Sequence, residues 1–357
     1  MRRRRIWLAL AGAGILAAIL LVVWLCSRPE VLYDVAILPT LGGSCPYPRA
    51  INDQGQVVGI VPTAPKQWHL FLWDKETGMR DLGPCADLAH FDSVLINDAG
   101  QIAATGVDPN GSIQAFLQDP NGIRHVLRAP GGEWVHIRGL NNQGQVVGYS
   151  GLERGPRRAF LWDKAGGMRN LAPPGTIESL ATGVNDAGRV VGFLSLNRTN
   201  QWHAFLYDPN TGPRDFGLSP FGPMCSCQIN NQDFVVGQFG AAEDETCLSA
   251  WTLKEGTQRL NSLGGKLAHA GGRNQANRFL VCIDRPKFEM RSLSFRPHVY
   301  SYLFDPDGHF TDLGGHLGRA DALEFHATGI NSQGQITGLL KLEGHCDSQG
   351  VVLSPIK

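Results

Sequence analysis

Seven cysteines follow Cys26 in this chain: Cys45, Cys85, Cys225, Cys227, Cys247, Cys282 and Cys346. Thiols can form disulfides or hold a metal ion, and spacing helps to separate the two. Cys225 and Cys227 lack the two-residue gap typical of zinc pairs, so disulfides are preferred to zinc. The candidate pairs are Cys247 with Cys225 or Cys227, and Cys45 with Cys346 or Cys85. An odd count leaves at least one thiol free or intermolecular. Carboxylates form the second group. Asp92, Glu133, Glu178, Asp321 and Glu324 could supply a pair for acid–base work on a glycosidic bond. The third group is cationic and aromatic. Arg285, Lys287, Arg291, Arg296 and His298 alternate with Phe288, Met290 and Phe295, as for an anionic or carbohydrate contact or a solvated insertion. Trp68-His69 and Trp202-His203 could stack a sugar or simply pack. Gly-x-Ser-x-Gly, His-Glu-x-x-His and phosphate-binding glycine loops are absent from the sequence, so no catalytic residue, metal or cofactor is assigned.

The elements that must position these groups come from a repeat. The pattern apolar-Asn-x-x-Gly-x-Val-Val-Gly is anchored at Asn52, Asn97, Asn141, Asn185, Asn230, Asn274 and Asn331, spaced by 45, 44, 44, 45, 44 and 57 residues. Copy five has Asp233 in place of the glycine, and copy six is degenerate. A second motif follows, as in Leu70-Phe71-Leu72-Trp73-Asp74 and Ala159-Phe160-Leu161-Trp162-Asp163. A third closes the unit, as in Asp81-Leu82-Gly83 and Asp312-Leu313-Gly314. Each unit thus holds four short apolar runs rich in aromatic and β-branched residues, bounded by turn residues. That predicts four strands, A to D, per unit, and a seven-bladed β-propeller over 33–357. The Asn turns read as hairpin loops with a left-handed glycine. Calcium is the alternative there, but Asp53, Asp98 and Asp186 bring only one carboxylate each. Tyr33–Leu38 resembles the end of a repeat and should complete the last blade beside Val351–Leu353, removing an open edge.

In that scheme the A–B and C–D turns share one rim, and the B–C and D–A loops share the other. All seven cysteines map to the second rim. So does the longest B–C loop, of 20 residues, which carries Arg285 to His298. Variable loops on a rigid scaffold are where binding usually sits.

The chain begins with Arg2 to Arg5 and then an uncharged run from Ile6 to Leu25. Twenty residues of helix span about 30 Å, the thickness of a bilayer core. The expectation is a basic cytoplasmic tail over 1–5, an uncleaved transmembrane signal-anchor helix over 6–26 and a linker over 27–32. A cleaved signal, or a lipoprotein modified at Cys26, is the alternative. The positive-inside rule exports the rest to the periplasm or cell exterior of a bacterium. Lys+Arg 32 against Asp+Glu 32 is a balance that argues against nucleic acid as a partner.

His203-Ala204-Phe205, Asp-Leu-Gly and Ile-Asn-x-x-Gly-Gln-Val-Val-Gly together resemble the bacterial extracellular HAF-repeat proteins, over about residues 33–354. The resemblance implies a secreted or surface-exposed propeller-like protein and carries over no catalytic residue. The expected function is a membrane-anchored binding module whose partner is an envelope carbohydrate or protein. A propeller hydrolase or lyase acting on envelope carbohydrate, and a structural envelope repeat protein, are the alternatives.

Overall fold

Each Asn anchor folds its own hairpin. Asn52 Oδ1 accepts from the amides of Gln54 and Gln56 at 3.2 and 2.9 Å, while Gly55 takes φ 76° and donates to the Asn52 carbonyl at 3.0 Å. The pattern recurs at Asn141 and Asn331. In copy five Asp233 occupies the left-handed position at φ 62°, the sole non-glycine to do so among the described residues. Asp and Asn tolerate that region better than other side chains. The Asp233 carboxylate also accepts from Arg189 and Asn185 of the preceding repeat.

The computed structural model describes residues 32–356, apart from 43–44, 65–66, 86–92, 108–112, 131–133, 153–154, 197–200, 220–226, 238–248, 253–255, 260–265, 275–277, 290–293, 306–308, 320 and 344–347. Its strands form seven four-stranded antiparallel sheets, each in A-B-C-D order. Blade 1 comprises Tyr47–Ile51, Val57–Ala64, Gln67–Asp74 and Gly78–Cys85. Blade 3 comprises Trp134–Leu140, Val146–Gly151, Arg158–Asp163 and Gly167–Asn170, while blades 2, 4, 5 and 6 run from Val94–Ile96 to Arg124–Leu127, Glu178–Val184 to Gly212–Ser219, Cys227–Ile229 to Gly256–Arg259 and Lys266–Arg273 to Phe310–Asp312. Blade 7 takes A, B and C from Ala322–Ile330, Ile336–Leu342 and Gln349–Pro355. Its outer strand is Tyr33–Ile37, paired with Gln349–Pro355 from Tyr33↔Pro355 to Ile37↔Val351. The two ends of the chain therefore close one sheet.

The expectation of a helix leading the fold is corrected. The described chain is all-β, with one 3-10 turn, Gly314–His316, as its helical element. No helix among the described residues is long and apolar enough to cross a membrane, and segment 6–26 lies outside them.

Strand alternation builds the core. In Ala159-Phe160-Leu161-Trp162, Ala159 and Leu161 pack with Ala181, Val190 and Phe205 of blade 4. Phe160 and Trp162 pack with Ala103, Ala115 and Leu117 of blade 2. The C-strand motif thus supplies apolar groups to both neighbours at once, and seven such clusters lie around the ring. The Asp ending that motif caps the C–D turn. Asp74 accepts from the amides of Glu76 and Thr77, and Asp163 from those of Ala165 and Gly166.

The Asn anchors then join blade to blade. Asn52 Nδ2 donates to the Asn97 carbonyl at 3.1 Å, Asn97 to Asn141 at 2.9 Å, and Asn141 to Asn185 at 2.8 Å. Asn185 donates to Asn230 and Asn274 to Asn331, both at 3.1 Å, and Asn331 returns to Asn52 at 3.0 Å. Asn230 breaks the series, because its buried Nδ2 meets no acceptor among the described residues.

A Val-Val-Gly glycine closes the design. An added Cβ at Gly59, Gly148, Gly192 or Gly338 would lie 2.1, 1.9, 2.0 or 2.4 Å from a carbonyl oxygen of the A strand. Opposite each of them the A strand bulges, at Arg49, Arg138, Thr182 and Thr328. Blade 2 has Ala104 at that place, and its register runs without a bulge.

Two outcomes follow for stability. Asn141→Ala removes the acceptor of the Gln143 and Gln145 amides and the donor to the buried Asn185 carbonyl, so chemical denaturation should show a loss of about 2–4 kcal/mol. Asn230→Asp should cost less than Asn141→Asp, since only the second removes a donor in use; equal losses would contradict the broken ladder. Gly148→Ala should cost about 3 kcal/mol, by overpacking against the His136 carbonyl. A neutral result there would mean the bulge is not built as described.

Candidate functional site

The bulges decide what faces the axis. A bulge leaves one residue without a cross-strand partner and re-aims its side chain. Arg49, Arg138, Thr182 and Thr328 are those residues, and all four line one central cavity of about 660 Å³. Gln228, Ser93 and Tyr149 also line it. The cavity follows the inner strands, so it is the propeller channel.

One mouth of the channel carries the residue after each anchor. The Asp53 amide donates to Asp98 Oδ1 at 2.8 Å, Asp98 to Asn142 at 2.9 Å, Asn142 to Asp186 at 2.8 Å and Asp186 to Asn231 at 2.8 Å. The Ser332 amide donates to Asp53 at 2.7 Å across the closure. Asp53, Asp98 and Asp186 are therefore engaged one by one with neighbouring backbone. Among the described residues no group of three or more His, Cys, Asp or Glu could hold a metal ion.

Four residues earlier, about 13 Å along an extended strand, the sign changes. Arg49 is half-buried, burial lowers the pKa of its guanidinium, and no hydrogen bond or ion pair joins it to another of the described residues. Arg138 donates to Tyr149 Oη at 3.2 Å and lies 5.6 Å from that ring's centre. His136 stacks on Tyr149 at 5.1 Å, and Trp134 meets both rings edge-on. Burial, and then the Arg138 charge, bring the His136 pKa down to about 4. Arg157 sits on the same cavity wall, paired with Glu178 at 3.0 Å and lying over Trp202 at 5.6 Å.

The sequence-derived candidates fall elsewhere. His69 Nδ1 bonds Asp81 at 2.8 Å, and His203 Nδ1 bonds Asp215 at 2.7 Å, so each joins strand C to strand D of its own blade. Trp68 packs edge-on to Tyr47 at 5.7 Å, and Trp202 is 3% exposed. These two pairs belong to blades 1 and 4 and do not come together. Arg285, Lys287, Arg296 and His298 are not in a loop. They belong to a long two-stranded ribbon, Phe279–Glu289 with Ser294–Phe304, in register Arg285↔His298 and Lys287↔Arg296. Arg291 lies outside the described residues, as do Cys225, Cys247 and Cys346.

The disulfide expectation is corrected for the cysteines that are described. No disulfide joins any two of them. Cys85 is buried in the core between blades 1 and 2, where burial pushes its thiol up to about 12. Cys227 lies in an A strand against Thr182, and Cys282 lies inside strand B of blade 6 against Ser301. Cysteines assigned to loops are packed in sheets. Among the carboxylate candidates, Glu178 is held by Arg157 and Asp321 by Arg319 at 3.0 and 2.9 Å. Glu324 lies on the A strand of blade 7, and Asp92 and Glu133 lie outside the described residues.

The channel arginines escaped the sequence reading, although a signal existed. Arg49 and Arg138 both stand three residues before an Asn anchor, ahead of a strand B that carries Val-Val-Gly.

Comparison with family models gives no match, and neither does comparison with curated proteins. Solved structures do resemble the fold. The β-propeller domain of the Trilobed protease from Pyrococcus furiosus aligns with a TM-score of 0.58 at 9% identity, covering 87% of this chain and 96% of that one. That domain has an open velcro topology, whereas here the two chain ends pair. The Pyrococcus horikoshii acylaminoacyl peptidase aligns at 0.56 with 11% identity, covering 90% of this chain and 53% of that one. A puromycin hydrolase aligns at 0.53 with 12% identity, covering 91% and 54%. The chain thus spans about half the length of those two hydrolases. At such identities the likeness defines the class of protein, a β-propeller.

The neutral His136 gives a pH signature. Its folded pKa of about 4 lies below the ordinary 6.5. The unfolded chain therefore takes up the proton first as pH falls, so stability drops from pH 6.5 to about 4 and this contribution levels off below. His136→Gln should flatten the fall in midpoint denaturant concentration over that window; an unchanged slope would assign it to other groups.

Proposed function

We propose that this chain is an exported propeller of the HAF-repeat type that works as a binding module, with its ligand in the central channel. The observation that carries this is the bulge set, which turns Arg49, Arg138, Thr182 and Thr328 into one cavity of about 660 Å³. That volume lies within the usual range for a small-molecule site. The polar groups inside are guanidinium, amide and hydroxyl, which suit holding a ligand. The carboxylates at the mouth are engaged with the ring's own backbone. Export is supported by the basic cluster Arg2–Arg5 ahead of the apolar run to Leu25. The peptidase and the hydrolase that share the fold are chains about twice as long.

Gln228→Trp, which fills the channel from blade 5, provides the test. A panel of envelope glycans, organic acids and peptides is screened by thermal shift on the full chain in mild detergent. A ligand at 100 times its dissociation constant stabilises by about 2.7 kcal/mol. It should raise the wild-type midpoint by several degrees and leave the Gln228→Trp midpoint unmoved. Equal shifts in both proteins would place binding outside the channel.

A further inference from the structure

Resting on the channel reading, we infer that the ligand is a polyhydroxylated organic acid of the uronic-acid type, whose carboxylate is held by Arg49 with Arg138 on the same cavity. Arg49 carries the argument. A guanidinium partly withdrawn from water is costly unless paired. Arg49 lines the channel, and no hydrogen bond or ion pair joins it to another of the described residues. Its five donors form a planar fork matched to a carboxylate. Arg138 reaches the same cavity from blade 3, with its ring partner Tyr149 on the wall.

The rest of the lining narrows the ligand. The Thr182 and Thr328 hydroxyls donate to the Cys227 and Thr337 carbonyls and keep lone pairs to accept from a ligand, the Gln228 amide keeps its carbonyl oxygen, and Tyr149 adds an aromatic surface. Those groups suit hydroxyls and the apolar face of a sugar ring. A bare inorganic anion would leave most of them unused.

The channel is also electrically one-sided. Asp53, Asp98 and Asp186 stand at the mouth formed by the Asn turns. Like charge there opposes an approaching anion, and low-dielectric walls focus the effect. The acid is therefore held away from that mouth. It stops at the arginines, with the acidic ring as the floor.

Isothermal titration of the full chain in mild detergent tests this with three probes: digalacturonate, its neutral galactose counterpart and inorganic phosphate. Digalacturonate should bind at least ten-fold tighter than either of the others. Arg49→Ala should weaken it by about ten- to a hundred-fold, the loss expected for charge-assisted hydrogen bonds. Arg49→Lys should recover only part of the loss. The unliganded midpoint of Arg49→Ala should not fall, which separates lost binding from lost folding. Phosphate binding as tightly as digalacturonate would overturn the saccharide assignment. Galactobiose binding as tightly, and failing in Gln228→Trp, would overturn the acid inference while leaving the channel reading intact. Digalacturonate binding unaffected by both Arg49→Ala and Gln228→Trp would overturn both. No binding by any probe would overturn the acid inference.

Discussion

The structure depends on one bond repeated around a ring: an Asn side-chain amide donating to the next Asn carbonyl. The same Asn accepts from its own hairpin through Oδ1. A local turn and a long-range contact thus share one buried side chain. Neither survives alone without leaving polar groups unsatisfied in the interior, where each such loss is costly. The two chain ends complete the ring, since Asn331 donates to Asn52 while Tyr33–Ile37 pairs with Gln349–Pro355. Sheet closure and ladder closure are one event, which gives blade 7 the same four strands as the other blades.

The ring's weakest joint can be located. Asn230 has no acceptor for its Nδ2 among the described residues, and the repeat around Asn274 is the degenerate one. The joint before it is compensated by charge. Asp233, in place of glycine, accepts from Asn185 and Arg189, and Arg189 also reaches Asp208 at 2.7 Å. Elsewhere Lys164 clamps Asp119 across blades 2 and 3 at 2.6 Å. Charge pairs at the surface are worth little individually. Here they add to a ladder that is already in place.

Legibility in the sequence followed periodicity. The Asn turn, the alternating Ala-Phe-Leu motif and the N-terminal closing strand are all periodic, and each has a local physical cause. Val-Val-Gly was legible as a motif, but not its reason, which is a carbonyl about 2 Å from where a Cβ would stand. The site was mostly illegible, because it is built by departures from the repeat. A bulge is set by two strands together, so Arg49 and Arg138 read as ordinary strand residues in one dimension. The Arg285–His298 segment was misread for a related reason. A long charged interval looks like a loop, yet Phe279–Glu289 and Ser294–Phe304 pair along their whole length. His69 and His203 look like ligands only while their partners Asp81 and Asp215, twelve residues on, go unnoticed.

The blades are an internal comparison at the bulge position. It holds Arg49 in blade 1, Arg138 in blade 3, Thr182 in blade 4 and Thr328 in blade 7. Three residues before the anchor, blade 2 has the buried Val94 and blade 5 the buried Cys227, each paired across strands in a register without a bulge. Threonine therefore satisfies the bulge in two of the four blades in which it forms. Thr182 even improves local bonding, since its hydroxyl donates to the Cys227 carbonyl at 2.8 Å. Arg49 has no such bond, and burial works against its charge. Stability alone would place threonine at residue 49. An arginine there costs the fold something that folding does not return, and a ligand carrying the opposite charge is the interaction that would return it.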